Sequence, residues 1–308
     1  MTPGISAGAL AREMGETGVL GGGRIGAAVQ VLSRMFGQSD FTNFLTLAGP
    51  MVPSGFRLLI GDMIDRGFLD AVVSTGANLT HDVIEALGLR HYRGSFNVDD
   101  RKLLRNGYSR IADIFVREKS FERLDKSVRK MLGQIPVQAR RNLAFSDLLE
   151  KLGLFLNDHD SIMYKAARRK VKLFSPGLLD SILGLSIWSF SQTETLQLNP
   201  LVDVTRMVEM AMTSKKMGVL IIGGGVPKHN ALLASVLREG VDAAVQITAD
   251  RPEPGGLSGA SLAESISWRK IRKGGEFVDV YGDATVCLPL IMAGVLEKVK
   301  RRGRSPRD

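Results

Sequence analysis

Gly218-Val-Leu-Ile-Ile-Gly-Gly-Gly-Val-Pro-Lys-His229 decides the fold class. A short β-branched and aliphatic run ends in three glycines, and a helix-like segment, Asn230 to Glu239, follows. The same grammar recurs along the chain. Ala71-Val-Val-Ser74 follows a helix-like stretch from Gly55 to Arg66. Val171 to Phe174 precedes a Ser-Pro break, Ala243 to Thr248 follows the Asn230 helix, and Phe277 to Tyr281 precedes a helix-like Thr285 to Val299. Short apolar strands separated by helices are the mark of parallel βαβ units. The expected architecture is α/β, a parallel sheet with helices on both faces. Three strands end in loops of small or polar residues, and ligands of such sheets bind beyond the C-terminal strand ends. The segment from Tyr108 to Leu132 is heavily charged and reads as helix.

The 308 residues contain 41 Lys plus Arg and 32 Asp plus Glu, a net charge of +9. With 44% hydrophobic and 24% charged residues, the composition is that of a globular protein with a sizeable core. The one cysteine, Cys287, excludes an intrachain disulfide and a multi-cysteine zinc site, and fits a reducing, cytoplasmic setting. No apolar run approaches the ~20 residues that span a membrane, and no signal peptide is visible. Residues 298–308 carry +5 of the excess charge, which leaves a nearly balanced body. Neither this tail nor the basic cluster from Lys165 to Lys172 is interleaved with aromatics, which weighs against nucleic acid as the partner. The tail reads as a solvated terminus. The expected organisation is an N-terminal extension (1–22), one α/β domain (23–297) and the basic tail (298–308).

Three motifs carry chemistry. Gly223-Gly-Gly225 stands between a strand and a helix, where backbone can approach a phosphate and free N–H groups point outward. The same tripeptide also serves as a tight turn, and it is neither a dinucleotide fingerprint nor a Walker loop. Ser74-Thr-Gly-Ala-Asn-Leu-Thr-His-Asp82 has the same form, with His81 as a ligand contact or a satisfied polar residue. Gly255-Gly-Leu-Ser-Gly259, Glu264 and Ser267-Trp-Arg-Lys270 place an amine beside an indole. A lysine becomes a nucleophile when part of it is neutral, which burial or a nearby cation promotes. The alternative is a surface lysine beside a core tryptophan. The four histidines show no metal-ligand spacing, so no metal site is expected.

Taken together, Gly223 to His229, Gly255 to Gly259, Glu264, Ser267-Trp-x-Lys270 and Val280-Tyr-Gly-Asp-Ala284 resemble the deoxyhypusine synthase family, in the branch typical of archaea and bacteria. Ser54-Gly55, Thr75-Gly76 and Phe174-Ser-Pro176 with Asp180 fall in the expected order, so the resemblance runs from about residue 23 to 295. It implies a Rossmann-like, NAD-binding fold and an aminobutyl transferase. In that family a hydride leaves spermidine beside its secondary amine for NAD. A lysine attacks the imine and releases diaminopropane. The butyl group then passes to a lysine of the translation initiation factor that carries hypusine.

By motif match, Lys270 is the Schiff-base lysine and Trp268 the apolar wall that keeps it dry. His229 contacts the polyamine and moves a proton at its secondary amine. Glu264 pairs with a terminal ammonium, and Ser258 and His81 join the substrate contacts. The matched NAD positions are Thr75, Gly76, Ala77, Asp180, Gly223, Gly224, Gly225, Asp283 and Ala284. A cytoplasmic homotetramer with sites at dimer interfaces is also implied, without membrane or nucleic-acid partners. Four departures stand out. Leu185 and Leu257 occupy positions that are acidic in the eukaryotic pattern, Leu233 replaces an asparagine, and His81 replaces an acidic residue. A polycation needs carboxylates in place of its water. The alternatives are therefore transfer to a free amine such as putrescine or an agmatine-type amine, as in homospermidine synthesis, or a non-catalytic NAD- or RNA-binding role.

Overall fold

A computed structural model describes residues 3–302. The described chain forms two compact units. The first holds the segments up to Gly49, Met63–Val73 and from Val204 onward. The second holds Pro50–Asp62 and Ser74–Asp203.

The first unit is built on a sheet in which β1 (Phe41–Leu47), β2 (Ala71–Ser74, its last residue in the second unit), β7 (Lys216–Ile222), β8 (Val241–Thr248) and β9 (Ile271–Tyr281) follow the order β2-β1-β7-β8-β9. The pairs β1–β7, β7–β8 and β8–β9 are parallel, with Phe44 opposite Val219 and Val219 opposite Ala244. Every residue of β1 is buried, and so is nearly every residue of β7 and β8. Both faces of the sheet are therefore covered, which is the condition that parallel sheets require. Helices Leu20–Gly37, Gly225–Ala234 and Ala284–Lys298 pack against the sheet strands. The expected α/β class with a parallel sheet holds.

Strand β1 was not among the expected strands, although it lies at the centre of this arrangement. Thr42, Asn43 and Thr46 interrupt its apolar run, yet all three are buried. Asn43 earns no exposure because its side-chain amide donates to the Met35 carbonyl at 2.8 Å, and its backbone N–H donates to Asp70 at 2.8 Å.

The N-terminal helix Ala7–Thr17 is capped by Ser6, whose hydroxyl also donates to Glu297 at 2.6 Å. It crosses helix Leu20–Gly37 at Gly15 and Gly26. A Cβ on Gly26 would lie 2.0 Å from the Gly15 Cα, so only paired glycines allow this approach. Of the basic tail, residues 303–308 lie outside the described residues. Arg302 departs from the expected solvated terminus. It is buried and donates to Asp70 at 3.0 Å, because a carboxylate and backbone carbonyls replace its water.

The second unit contains β6 (Lys172–Phe174) and a small antiparallel sheet, β3 (His91–Arg93), β4 (Tyr108–Ile111) and β5 (Ile114–Arg117), in the order β3-β5-β4. The expected helix from Tyr108 to Leu132 is thus corrected at its start. A hairpin occupies 108–117, and the helix runs Glu118–Gly133. Arg117 lies over the rings of Tyr92 and Tyr108, a cross-strand stack available only in the extended form.

Candidate active site

The residues singled out by sequence fall into two sets, one in each unit.

In the first unit, three local devices bring Lys270 to His229. The short helix Glu264–Ser267 stops in a Schellman turn. The Lys270 N–H donates to the Ser265 carbonyl at 2.9 Å and the Arg269 N–H to Ile266 at 3.0 Å, with Arg269 left-handed at φ 55°. The Lys270 carbonyl is then fixed by the Val241 N–H at 3.0 Å and the Ser235 hydroxyl at 3.3 Å. The side chain is thereby launched from the head of β9. Its Nζ lies 3.3 Å from His229 Nδ1 and 5.4 Å from the Trp268 ring centre. His229 stands on helix Gly225–Ala234. Burial, then the Lys270 charge, lowers its pKa, so the ring stays a neutral acceptor. Trp268 is 64% exposed in the single chain.

Under this pair lies a lysine that the sequence reading passed over as a motif residue. Lys228 is 2% exposed, and its ammonium donates to the carbonyls of Leu257 and Ala260. It thereby ties the glycine-rich loop to the helix that bears His229. Burial pushes its pKa down to about 8, against the pull of Asp279 and Glu264. Asp279 is itself raised by burial, and both its oxygens accept from the Leu262 N–H at 3.2 Å. A charged residue between a glycine turn and a histidine, inside an otherwise buried helix face, is the signal that could have found Lys228.

The Gly223-Gly-Gly225 turn is closely packed. Gly223 and Gly225 have φ of 73° and 58°, and a Cβ on Gly224 would lie 2.5 Å from the Ser258 Cα. The Gln246 amide donates to the Ser258 carbonyl at 2.7 Å, which fixes the two loops together. Helix Gly225–Ala234 starts here without a side-chain cap, so its first N–H groups are open to an anionic ligand. Glu264 is exposed at the head of its short helix. Asp283 caps helix Ala284–Lys298, accepting from the Thr285 N–H at 2.8 Å; its second oxygen remains for a ligand. Cys287 is half-buried in the next turn. Leu233 and Leu257 are exposed.

In the second unit, Thr75 caps helix Gly76–Ala86. A Cβ on Gly76 would meet the Ser181 hydroxyl at 2.6 Å and the Leu178 carbonyl at 2.8 Å, so this turn abuts the loop that bears Asp180. Ala77 and Asp180 are exposed. His81 is 8% exposed, with Nδ1 2.8 Å from His91 Nε2. His91 Nδ1 is in turn 2.9 Å from Glu85. Neither His91 nor Glu85 was singled out by sequence, although Glu85 lies one helical turn beyond His81. Asp82 is fully buried and accepts from Arg57 Nε (2.6 Å), the Ser161 hydroxyl (2.8 Å) and the N–H groups of Ile162 and Met163 (3.1 and 3.0 Å). Leu185 is exposed on the helix Ile182–Ser191.

The arrangement can form and hold a lysine–carbon bond beside a neutral histidine. It can also cradle an anionic ligand on glycine turns at strand ends. Comparison with known proteins gives the same direction. The family model described as deoxyhypusine synthase matches residues 9–295, beginning upstream of residue 23, where the motifs start. A protein of Methanothermobacter thermautotrophicus named as a probable deoxyhypusine synthase is 40% identical over 97% of both chains. One of Archaeoglobus fulgidus with the corresponding name is 40% identical over 89% of each. A crystal structure described as a deoxyhypusine synthase of Entamoeba histolytica shares the fold, with a TM-score of 0.68 at 21% identity over 97% of this chain and 96% of that one. A family model matched over almost the whole chain and named relatives at 40% identity have one reading: the chain belongs to the deoxyhypusine synthase family.

Proposed function

We propose that this chain transfers the aminobutyl group of spermidine to a lysine of the translation initiation factor that carries hypusine, with NAD as cofactor. The observation that carries this reading is the approach of Lys270 Nζ to His229 Nδ1 at 3.3 Å, beside the Trp268 ring. The turns at Gly223–Gly225 and Thr75–Ala77 fit a dinucleotide. Both are crowded where a Cβ would stand, and each opens a helix N-terminus. Asp180, Asp283 and Ala284 complete the proposed cofactor contacts, with a carboxylate oxygen for ribose hydroxyls. When bound, NAD takes up a hydride from the carbon beside the secondary amine and later returns it.

The chain supplies the rest. His229, held neutral, accepts the proton that Lys270 or the secondary amine must lose. Lys270 Nζ then forms a bond to the imine carbon, the bond to the diaminopropane nitrogen breaks, and that nitrogen leaves with a proton. The butyl group stays on Lys270 as a Schiff base until the acceptor lysine bonds to the same carbon and the bond to Lys270 breaks, its nitrogen leaving with a proton. Trp268 covers the aliphatic chain, Glu264 pairs with a terminal ammonium, and Ser258 and His81 complete the substrate contacts. A homotetramer with sites completed at dimer interfaces is supported by exposed apolar side chains. Leu179, Ile182, Leu185 and Trp188 leave an apolar face open on one helix and the loop before it. No helix among the described residues is long and apolar enough to cross a membrane; the setting we propose is the cytoplasm.

The test is to incubate the protein with NAD and spermidine labelled in the butyl group, then trap with borohydride. Label on the peptide containing Lys270, absent from Lys270→Ala, is expected. Addition of the translation factor should move the label to it. Label recovered only in free homospermidine after adding putrescine would sink the protein acceptor.

A further inference from the structure

His81 ends a hydrogen-bonded chain that runs through His91 to Glu85, two residues that the proposed reaction leaves unused. Its geometry dictates its protons. A carboxylate only accepts, so the 2.9 Å contact to Glu85 requires the proton of His91 on Nδ1. A neutral His91 then has only a lone pair on Nε2. The 2.8 Å contact to His81 is satisfied when His81 donates from Nδ1. That leaves the His81 lone pair on Nε2, an atom with no hydrogen-bond partner among the described residues. The elements are rigid. His81 and Glu85 share one helix face at i, i+4 spacing. The neighbouring Asp82 is pinned by four donors, and His91 is held opposite Val116 in the small antiparallel sheet. Arg57 Nε, 3.8 Å from Glu85, supports the carboxylate's charge.

We propose that Glu85 and His91 are positioning residues that lock His81 with its proton on Nδ1, so that His81 Nε2 accepts a hydrogen bond from an N–H donor of the ligand bound at the N-terminal turn of its helix. The inference rests on the proposed function for the ligand, not for the relay. Two ligand groups have the required chemistry: the primary carboxamide of the cofactor's pyridine ring and an ammonium of the amine. A neutral imidazole backed by a carboxylate through a second ring is a stronger acceptor than an isolated one. Burial, together with repulsion from the neighbouring ring, lowers the pKa of His81 to about 4, which keeps that lone pair free at neutral pH.

The experiment has two parts. With only four histidines, imidazole nitrogen NMR on the 15N-histidine-labelled full chain reads each ring's tautomer. At pH 7.5 His81 is expected with a protonated Nδ1 and a pyridine-type Nε2. A proton on Nε2, or an imidazolium, overturns the proposal whether or not the protein binds NAD. The second part compares His91→Phe and Glu85→Gln with the native chain. The probes are NAD, its 3-acetylpyridine analogue, which lacks the carboxamide N–H, and spermidine. Native protein should prefer NAD to the analogue by about tenfold, the scale of one hydrogen bond, and His91→Phe should lose that preference if the donor is the carboxamide. An ammonium donor would instead give a roughly tenfold loss in spermidine affinity with the cofactor preference unchanged. Glu85→Gln, whose amide oxygen still accepts from His91, should keep the tautomer and most of the effect. Unchanged preference and unchanged amine affinity in His91→Phe, with the His81 tautomer lost, would refute the ligand contact. Should His91→Phe not fold, the native tautomer and Glu85→Gln still decide.

Discussion

Lys228 is the residue whose chemistry depends most on its surroundings. Its ammonium sits inside the protein with two backbone carbonyls as acceptors, and burial brings its pKa from an ordinary 10.5 to about 8. Below pH 8 both folded and unfolded chains hold the proton, and the burial cost is fully present. Between about 8 and 10.5 the unfolded chain still holds a proton that the folded chain has lost, so stability rises with pH. Above 10.5 the cost is gone. The stability of the native protein relative to Lys228→Met should therefore climb by about 3 kcal/mol across that window, the free-energy equivalent of the shift. Urea unfolding at fixed pH values from 7 to 10.5 measures it, and a difference that stays flat would refute the buried-ammonium account. At this scale the sequence was informative where residue type and spacing carry chemistry: the structure brings Lys270 and His229 within reach of each other. It was silent on Lys228, His91 and Glu85, because their significance lies in burial and cross-element contact rather than in spacing.

Elements show the same division. Five strands were legible as apolar runs; those covered on both faces, β7 and β8, are apolar on both faces. β1 was not, since Thr42, Asn43 and Thr46 break its apolar pattern although all three are buried. The hairpin at 108–117 was hidden because its charged residues, such as Arg110 paired with Asp100, suit an exposed helix face equally well. The glycine turns were visible as composition, but their reason is packing. Gly224 has extended backbone at φ 172°, so it is glycine for space, not for conformation. Its missing Cβ is what lets the Ser258 backbone close over the turn. Gly224→Ala should cost about 1–3 kcal/mol, the scale of overpacking, and weaken NAD binding. Gly256→Ala, in the loop that carries Ser258 and with nothing within 4 Å of its would-be Cβ, should stay within about 0.5 kcal/mol. Equal losses in unfolding free energy for the two variants would refute the close-packing explanation.

For the whole molecule, composition was a poor guide and connectivity a better one. The +9 charge hinted at nucleic acid, yet much of it sits in the last eleven residues, and one of these, Arg302, is engaged with Asp70 inside the fold. The chain passes between its two units four times, so no single cut in the sequence separates them, and no Pro/Gly-rich linker was there to be read. The residues proposed for catalysis and those at Thr75–Ala77 belong to different units. The proposed oligomer has sites completed by two chains, which makes a stoichiometric prediction. Lys270→Ala and Gly76→Val should each be inactive alone. In a mixture refolded from equal amounts, half of the dimers pair unlike chains. Where a site takes Lys270 from one chain and the Gly76 turn from the other, one of the two sites in each mixed dimer is intact. Activity should then recover to about a quarter of the native value. Mixing the folded variants without denaturant should restore less, since exchange requires the dimers to separate. No recovery after refolding, with mixed dimers demonstrated by mass, would show that each chain completes its own site.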